Sequence, residues 1–345
     1  MARFASEPVS SAEEQKAEVV SDSGKISFSI IICTKDRPRE LAHAIDTIRN
    51  SCERGRSAEI IVVDESETPR EIPGVHYFHH RRAGRGFGYS RNTGVQKARG
   101  DLILFIDDDC EAERGWVDNL IAPLVGNPNV LGVAGAVLVH NCGLIGYAEN
   151  ILGFPGGGLR YLNESRGQIV QIRYLSTCNC AYRREAVLEA GGFPEEPFFK
   201  YPGGEDSLLA ERVSRLGPCV YTPDAVVYHR PRGRLGAIFR WFIQRGLSEV
   251  AVARVRTRFR DTVAYFLRSS WTLRLLALLA ALAYWPRLAV LLPVAVAFYY
   301  TAMLWRFRFA RAYPTHRNAW WLVPIVKLAM DLGTEVGRWK AVMAR

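Results

Sequence analysis

The chain has 345 residues, of which 48% are hydrophobic and 23% are charged. This composition excludes a fully disordered chain, a collagen-like repeat and a disulfide scaffold, and the length allows about two domains. Residues 1–229 hold 25 basic and 31 acidic residues, whereas residues 230–345 hold 20 basic and 4 acidic residues. The chain therefore combines an acidic body with a strongly basic, apolar tail, which suits a membrane surface or a nucleic acid as partner.

The N-terminal residues 1–26 are rich in Ser and Glu and contain few large apolar side chains. This segment is predicted to be a disordered leader, and it lacks the apolar stretch of a secretory signal. The seven cysteines stand at irregular positions, which is typical of reduced thiols in a cytosolic domain. Cys178 and Cys180 do not form a zinc pattern, because no second pair of ligands lies at a suitable spacing.

Short apolar runs alternate with helical patterns in the first part of the body. Strands are predicted over residues 28–34, 58–66, 75–80 and 101–109, and helices over residues 40–48 and 89–99. This alternation predicts an α/β fold with a mostly parallel sheet flanked by helices. Such sheets bind ligands at the carboxyl ends of their strands, where Asp36, Asp64 and the run Asp107–Asp109 fall.

The rest of the body is less regular in sequence. We expect a helix over residues 111–125, a strand over 129–140, and an irregular, mobile surface loop over the Gly-rich residues 141–175. Order is predicted to resume at Ser176. Two helices, 183–190 and 205–216, and a final strand within 219–229 then complete the body.

The tail contains three apolar segments. Residues 235–260 mix apolar and arginine residues, as in a basic interfacial helix, and residues 275–285 and 288–305 form a predicted hairpin that is almost free of charge. Tryptophans and arginines flank the hairpin, which places both of its ends and the body in the cytosol. A buried helical subdomain is the alternative interpretation. The last helix, residues 319–338, is either interfacial or spanning, and Lys327 with Asp331 favours an interfacial position.

Three adjacent carboxylates, Asp107, Asp108 and Asp109, close the strand of residues 101–109. They repel one another, so a strand tip suits them poorly unless a cation neutralises them. Strand alternation predicts that Asp107 and Asp109 point to the same side, and hard oxygen ligands suit Mg²⁺ or Mn²⁺ carrying a diphosphate. An acidic loop in water is the alternative.

Two more groups could join this chemistry. Glu205 and Asp206 begin a helix after Gly203-Gly204, where carboxylates serve either as helix caps or as a general base for an alcohol. His229 stands at the end of the body. A lone histidine is usually structural, but this position also allows a neutral imidazole to bind the same metal.

The glycines at 84, 86 and 88 form a loop that matches neither a dinucleotide fingerprint nor a P-loop. No acidic residue follows at the fingerprint distance, and no Gly-Lys-Ser or Gly-Lys-Thr is present. The loop nevertheless offers backbone N–H groups, and Arg85 and Arg91 can pair with phosphate oxygens.

Taken in order, these motifs resemble those of a family 2 glycosyltransferase with the GT-A fold. The matching segments are Ser29–Pro38, Ile61–Ser66, Ser90–Gly94 with Gly100-Asp101, Asp107–Asp109 and Gly204–Asp206. The resemblance covers residues 27–230 and leaves 231–345 as the membrane-associated region. It departs from the family at Glu65-Ser66, where Asp-Gly or Asp-Asn is frequent.

The resemblance also implies roles for single residues. Thr34 and Asp64 would contact the nucleotide base, with Asp36 and Asp108 beside them in the nucleotide-sugar site. Asp107 would contact the ribose or the metal, and Asp109 would be the main metal ligand, completed by His229. Asp206 would be the catalytic base, and Glu205 would orient the acceptor.

The implied activity is inverting transfer of a sugar from a UDP- or GDP-type donor, with Mg²⁺ or Mn²⁺. The expected acceptor is a lipid-linked glycan or cell-surface polysaccharide at the cytosolic face of the cell membrane. A polyprenyl-phosphate glycosyltransferase and a non-catalytic membrane scaffold with a transferase-like domain are the alternatives. A nucleic-acid partner is not expected, because the tail's arginines are interleaved with long apolar runs rather than with a polar face.

Overall fold

A computed structural model of the chain describes residues 27–52, 58–80, 86–195, 203–256, 264 and 266–343. The predicted leader, residues 1–26, lies outside them. The described residues divide into two compact units. The first lies within Met1–Val139, Gly153–Lys200 and Glu205–Arg230, and the second within His140–Leu152, Tyr201–Gly204 and Pro231–Arg345. The second unit thus joins Pro231–Arg345 to two earlier segments, His140–Leu152 and Tyr201–Gly204, which the sequence assigns to the body.

The N-terminal half of the first unit is a parallel sheet with helices between its strands. Its elements are β1 (Phe28–Thr34), α1 (Pro38–Ser51), β2 (Glu59–Asp64), β3 (His76–His79), α2 (Phe87–Lys97) and β4 (Leu102–Ile106). The four strands lie in the order β3-β2-β1-β4, and every neighbouring pair is parallel. β1, β2 and β4 are almost wholly buried, as their continuous apolar runs predict. α1 buries Leu41, Ala44, Ile45 and Ile48, the predicted face.

The second half of this unit extends the same sheet. Its elements are β5 (Cys110–Ala112), α3 (Trp116–Gly126), β6 (Gly132–Leu138), α5 (Gly158–Ser165), β7 (Val170–Ile172), β8 (Asn179–Arg183), α6 (Arg184–Glu189), α7 (Glu205–Leu216) and β9 (Cys219–His229), and α4 (Leu144–Ile151) lies in the other unit. The full order is β3-β2-β1-β4-β8-β6-β9-β5, with β7 on β9. Four strand pairs are parallel and four are antiparallel. The α/β fold is confirmed, but the sheet is mixed rather than mostly parallel.

Two local predictions in this half are wrong. The predicted helix over residues 111–125 begins only at Trp116, because Cys110–Ala112 pairs with the end of β9 as an edge strand. The predicted mobile loop over residues 141–175 contains α4, α5 and β7. Glycines 153 and 156–158, all with positive φ, connect α4 to α5, and their frequency conceals the two short helices in the sequence.

Asn179, at the start of β8, holds three elements together from a buried position. Its side-chain amide donates to the carbonyl oxygens of Ala136 and Ala225, each at 2.8 Å, and its Oδ1 accepts from Nε1 of Trp116 at 2.8 Å. The register of β6 on β9 shifts between Ala134 and Ala136, so the amide binds carbonyls where the ladder is irregular.

The second unit is helical. Its elements are α4, α8 (Leu235–Arg256), α9 (Trp271–Tyr284), α10 (Leu292–Arg306), α11 (Val323–Met343) and three 3₁₀ segments at Pro286–Leu291, Arg308–Ala312 and Arg317–Leu322. The continuous helical stretch Pro286–Arg306 is long and apolar enough to cross a membrane, and its most apolar part is not buried in the protein. α9 is a shorter apolar helix of 14 residues. The two helices cover the residues of the predicted hairpin, 275–285 and 288–305, apart from Trp285.

α8 and α11 pack closely because glycines lie at their contact. A Cβ atom on Gly337 would stand 2.1 Å from the carbonyl oxygen of Ile243, and one on Gly246 would stand 2.2 Å from that of Thr334. Residues 140–152 are tied to this unit by polar contacts: Asn150 Oδ1 lies 3.1 Å from His316 Nε2, and Glu149 accepts from Arg232 at 2.8 Å.

Candidate active site

The sheet brings the predicted acidic residues to one edge. β1 ends at Thr34, β2 ends at Asp64 and β4 ends one residue before Asp107, and these three strands are parallel neighbours. At the far edge Cys110 of β5 pairs with His229 of β9, which brings this histidine beside Asp109. Residues that are far apart in sequence therefore meet at the carboxyl ends of the strands, where such folds bind ligands.

A cation of this chain already contacts the carboxylate run. Nη1 of Arg37 donates to Asp108 Oδ1 at 2.9 Å and to Asp109 Oδ2 at 2.8 Å, while Thr34 Oγ1 donates to Asp108 Oδ2 at 2.7 Å. β4 ends at Ile106, so the three carboxylates lie beyond the strand. Strand alternation therefore does not determine their directions and does not support the prediction that Asp107 and Asp109 point to the same side. Sequence motifs alone assign no role to Arg37, although it follows Asp36 directly at the end of β1.

The carboxylates are in an environment that favours a bound cation. Burial, with the charge of Asp109, raises the pKa of Asp108 to about 6 and that of Asp107 to about 6. A positive ion at this edge would offset both causes.

Asp109, His229 and Cys110 form a group whose ligand atoms all lie within 4.8 Å of one another. Oδ1 of Asp109 is 3.3 Å from Nε2 of His229. Neighbouring ligands of an octahedral ion with bonds of 2.0–2.1 Å stand about 3 Å apart, so these two atoms fit Mg²⁺ or Mn²⁺. Burial raises the pKa of the Cys110 thiol, and a sulfur ligand is softer than the oxygen ligands that Mg²⁺ and Mn²⁺ prefer.

Arg91 and Glu205 form a buried ion pair between α2 and the start of α7. Nη1 of Arg91 donates to Oε1 of Glu205, and both side chains are largely buried. The Arg91 guanidinium also lies 5.7 Å from the centre of the Phe193 ring. Burial raises the pKa of Glu205, and the charge of Arg91 partly offsets this. The carboxylate of Glu205 therefore serves first to hold Arg91.

Asp206, the next residue, is also buried. Its Oδ1 accepts from the backbone N–H of Ser207 at 2.7 Å, and Tyr174 Oη lies 3.5 Å from its Oδ2. The charge of Asp206 acts on both Asp107 and Glu205, which shows that α7 begins at the acidic edge of the sheet. The first turn of α7 thus supplies two buried carboxylates, of which Glu205 binds Arg91 and Asp206 accepts from the Ser207 N–H.

The predicted base-binding residues differ in exposure. Asp64 is fully buried, and its two oxygens accept from the Ser66 N–H at 2.7 Å and from Tyr77 Oη at 2.8 Å. Asp36 is exposed, has a φ of 55°, and donates its N–H to Ser66 Oγ. Asp64 therefore has no exposed surface for contact with a nucleotide base, and its two hydrogen bonds stabilise the loop after β2. Arg85 lies outside the described residues.

The strand order of the first unit, which we call the transferase unit, matches the GT-A fold. Residues 29–191 match the model of Glycosyl transferase family 2, and this part of the chain is a family 2 glycosyltransferase domain. A mannosyltransferase of Pyrobaculum calidifontis, solved with GDP-Man and Mn²⁺, has the same fold. It superposes with a TM-score of 0.58 at 18% identity over 94% of this chain and 89% of its own.

Sequence relatives are also glycosyltransferases. A glucosyl-dolichyl phosphate glucuronosyltransferase of Haloferax volcanii is 25% identical over 181 residues, covering 49% of this chain and 56% of the relative. The O-antigen chain rhamnosyltransferase WbaN of Salmonella anatum is 25% identical over 223 residues, covering 59% and 66% respectively. The chain thus spans little more than half the length of the first relative and about two thirds of the second.

Proposed function

We propose that this chain is a metal-dependent, inverting glycosyltransferase. It transfers a hexose from a UDP- or GDP-sugar to a lipid-linked glycan or surface polysaccharide at the cytosolic face of the cell membrane. The observation that carries the proposal is the meeting of Asp109 and His229, 3.3 Å apart, with the buried Asp206 at the ligand-binding edge of a family 2 domain.

The donor end of the site would be organised by cations. Asp109 and His229 would hold Mg²⁺ or Mn²⁺, which when bound stabilises the charge on the leaving nucleoside diphosphate. Arg37 binds Asp108, and the charge of Arg91 acts on Asp107. Both arginines can pair with phosphate oxygens. Thr34, Asp36, Asp64, Asp107 and Asp108 would shape the nucleotide-sugar pocket, some of them through the loops they brace.

Asp206 is the proposed general base. A buried carboxylate can accept the proton of an acceptor hydroxyl while the hydroxyl oxygen attacks the anomeric carbon. Attack opposite the leaving diphosphate inverts the configuration at that carbon. Glu205 would act indirectly, because its bond to Arg91 fixes the arginine near Asp107.

The acceptor side of the proposal rests on the relatives and on the second unit. The names of two relatives indicate a dolichyl-phosphate-linked sugar and an O-antigen chain as their materials. An exposed apolar stretch of 21 residues, Pro286–Arg306, is suited to hold the protein where such lipid-linked substrates lie. Arg268, Arg274, Arg306, Arg308 and Arg311 flank the hairpin, whereas its turn carries only Arg287, which favours a cytosolic transferase domain.

The experiment is a donor screen. Full-length protein in detergent would be mixed with Mn²⁺, a membrane lipid extract and one radiolabelled UDP- or GDP-sugar at a time, and products would be separated by solvent partition. We expect label to enter the lipid or polymer fraction with a small set of donors, and to stay in water with the Asp109→Ala variant.

Other outcomes identify the alternatives. Label on a carrier lipid that bears a single sugar would assign a polyprenyl-phosphate glycosyltransferase instead. If the parent neither transfers nor hydrolyses any donor faster than the Asp109→Ala variant does, the non-catalytic scaffold remains as the function.

A further inference from the structure

α11 has an apolar stripe that no protein segment covers within the described part of the chain. The stripe is formed by exposed side chains that recur every three or four residues, namely Trp321 in the 3₁₀ segment directly before α11, and Ile325, Leu328, Leu332, Val336, Trp339 and Met343 on α11. The first six are between 36% and 49% exposed. Another face of the same helix is buried, at Val326, Met330 and Gly333, where it packs on α8. α11 is therefore apolar on two faces, and a soluble helix normally needs only one.

The ends of α11 are attached to different arms of the hairpin. At its N-terminal end Tyr300 Oη of α10 donates to the Trp321 carbonyl at 2.6 Å. At its C-terminal end Trp339 Nε1 donates to Thr272 Oγ1 of α9 at 2.8 Å, and Glu335 accepts from the N–H of Thr272 at 3.1 Å. From residue 321 to residue 339 a helix rises about 27 Å.

This attachment sets the direction of α11 relative to the hairpin. Thr272 begins α9 and Tyr300 lies near the end of α10, so both points are at the base of the hairpin, away from the turn at residues 285–286. A helix that joins the bases of the two arms runs across them. If the arms enter a bilayer, α11 lies along the membrane surface rather than through it.

The charges around the stripe fit the lipid headgroup level. Lys327 and Asp331 form an ion pair, each one residue before a stripe leucine. Each charge would be costly at the centre of a bilayer but would cost little among the headgroups. Arg274 lies over Trp271 at 5.5 Å and Arg311 over Trp320 at 5.3 Å, which places cations and indoles together near the hairpin base. Because residues 230–345 carry a net charge of +16, an anionic leaflet suits this face better than a second copy.

We propose that α11 is an in-plane membrane helix whose stripe is embedded in the leaflet from which the hairpin enters. The proposal rests on the membrane attachment proposed above and adds a second, shallow contact to it. In this arrangement the apolar side chains reach about 5–10 Å below the headgroups, while the opposite face stays on α8.

Photolabelling by lipids of two depths tests this arrangement. Full-length protein would be placed in phosphatidylcholine–phosphatidylglycerol vesicles that contain a phospholipid with a diazirine either near the ester group or near the chain end. Labelled residues would be mapped by mass spectrometry. We expect the shallow probe to label the stripe at similar levels from Trp321 to Trp339, and the deep probe to label α10 but not α11.

Leu332→Glu and Leu188→Glu provide a matched pair, since these leucines are 46% and 47% exposed and Leu188 lies on α6 of the transferase unit. Leu332→Glu should lower shallow labelling of the stripe at least about fivefold. Leu188→Glu should leave it unchanged.

Three results would overturn the proposal. A hairpin that is labelled beside an unlabelled α11 would refute the in-plane helix alone. Deep labelling centred on Leu328 and Leu332 would mean that α11 spans the bilayer. Vesicles that label neither helix would refute membrane attachment as well. None of these readouts needs a sugar donor, so failure of the proposed transfer reaction would be seen separately in the donor screen.

Discussion

The two units depart from ordinary soluble proteins in opposite ways. The transferase unit buries charge: Asp64, Asp108, Glu205 and Asp206 are each 7% exposed or less. The helical unit exposes apolar surface, with Val294 at 62% and Phe298 at 73%. Both arrangements are costly for a protein alone in water. Burial removes the hydration of the carboxylates, and exposure keeps apolar groups in unfavourable contact with water. The difference supports the ligands proposed for each unit, which are cations and phosphates for the first and lipid for the second.

The proposal that the helical unit binds lipid can be tested at the hairpin, where we expect the largest effect of a substitution. Val294→Arg combined with Phe298→Arg places two charges one turn apart on α10, at about 2.5–3.5 kcal/mol each in the bilayer centre. We expect the double variant to leave the membrane pellet under alkaline carbonate extraction, which the parent should resist. Leu216→Arg, at a leucine of α7 that is 42% exposed, is the control and should stay with the membrane. A double variant that stays in the pellet would contradict the lipid assignment.

The next largest effect is expected at Asp109. Asp109→Ala removes one of the two proposed metal ligands, and loss of several kcal/mol of charge stabilisation corresponds to at least about 10³-fold slower transfer. Excess chelator should have the same effect on the parent. Asp46→Asn, at an exposed position of α1, should change the rate little. Initial rates with the donor found in the screen provide the measurement, and full activity in chelator would exclude the metal.

Asp206 tests which carboxylate of α7 is the base. With a hydroxyl acceptor, Asp206→Asn should lower kcat by about 10²–10⁴-fold while donor binding stays the same. With a phosphate acceptor the loss should be much smaller, because the nucleophile is already ionised. Glu211→Gln on the same helix is the control. Glu205→Gln is unsuitable, since it would deprive buried Arg91 of its carboxylate. Near-normal turnover with a hydroxyl acceptor would refute the assignment.

The smallest effect is expected from a substitution at the contact between α8 and α11. Gly337→Ala introduces a Cβ only 2.1 Å from the Ile243 carbonyl oxygen, and such overpacking costs roughly 1–3 kcal/mol of unfolding free energy. Gly236→Ala is the matched control, since its Cβ would meet nothing closer than 3.8 Å. Denaturant titration in detergent should separate the two variants, and equal stability would mean that α8 and α11 pack less tightly than these distances indicate.

Sequence patterns predict the elements whose signals are local. β1, β2 and β4 are continuous apolar runs, and each is followed by polar residues that mark the edge of the sheet. Because parallel neighbours end at the same edge, the sequence alone leads one to expect Asp64 and Asp107 together there. The apolar hairpin is visible for a similar reason, since composition alone distinguishes it.

The contacts that sequence patterns do not reveal are long-range pairs. Arg91 and Glu205 are 114 residues apart, and Arg37 reaches Asp109 across 72 residues. No periodicity records which charge neutralises which, because the pairing depends on sheet order and on the antiparallel strands in its second half. β5 was missed because three residues are too few to show a strand period, and α4 because glycines follow it closely.

Asn179 gives the fold a position that tolerates almost no replacement. Its side chain meets two carbonyl oxygens and one indole N–H, and only an amide supplies two donors and an acceptor on so short a stem. Aspartate at this position would set a carboxylate against two carbonyls, and leucine would leave three buried polar groups unsatisfied. Random mutagenesis of this chain should therefore leave residue 179 unchanged in every folded variant, although none of these three bonds goes to an acidic residue of the site.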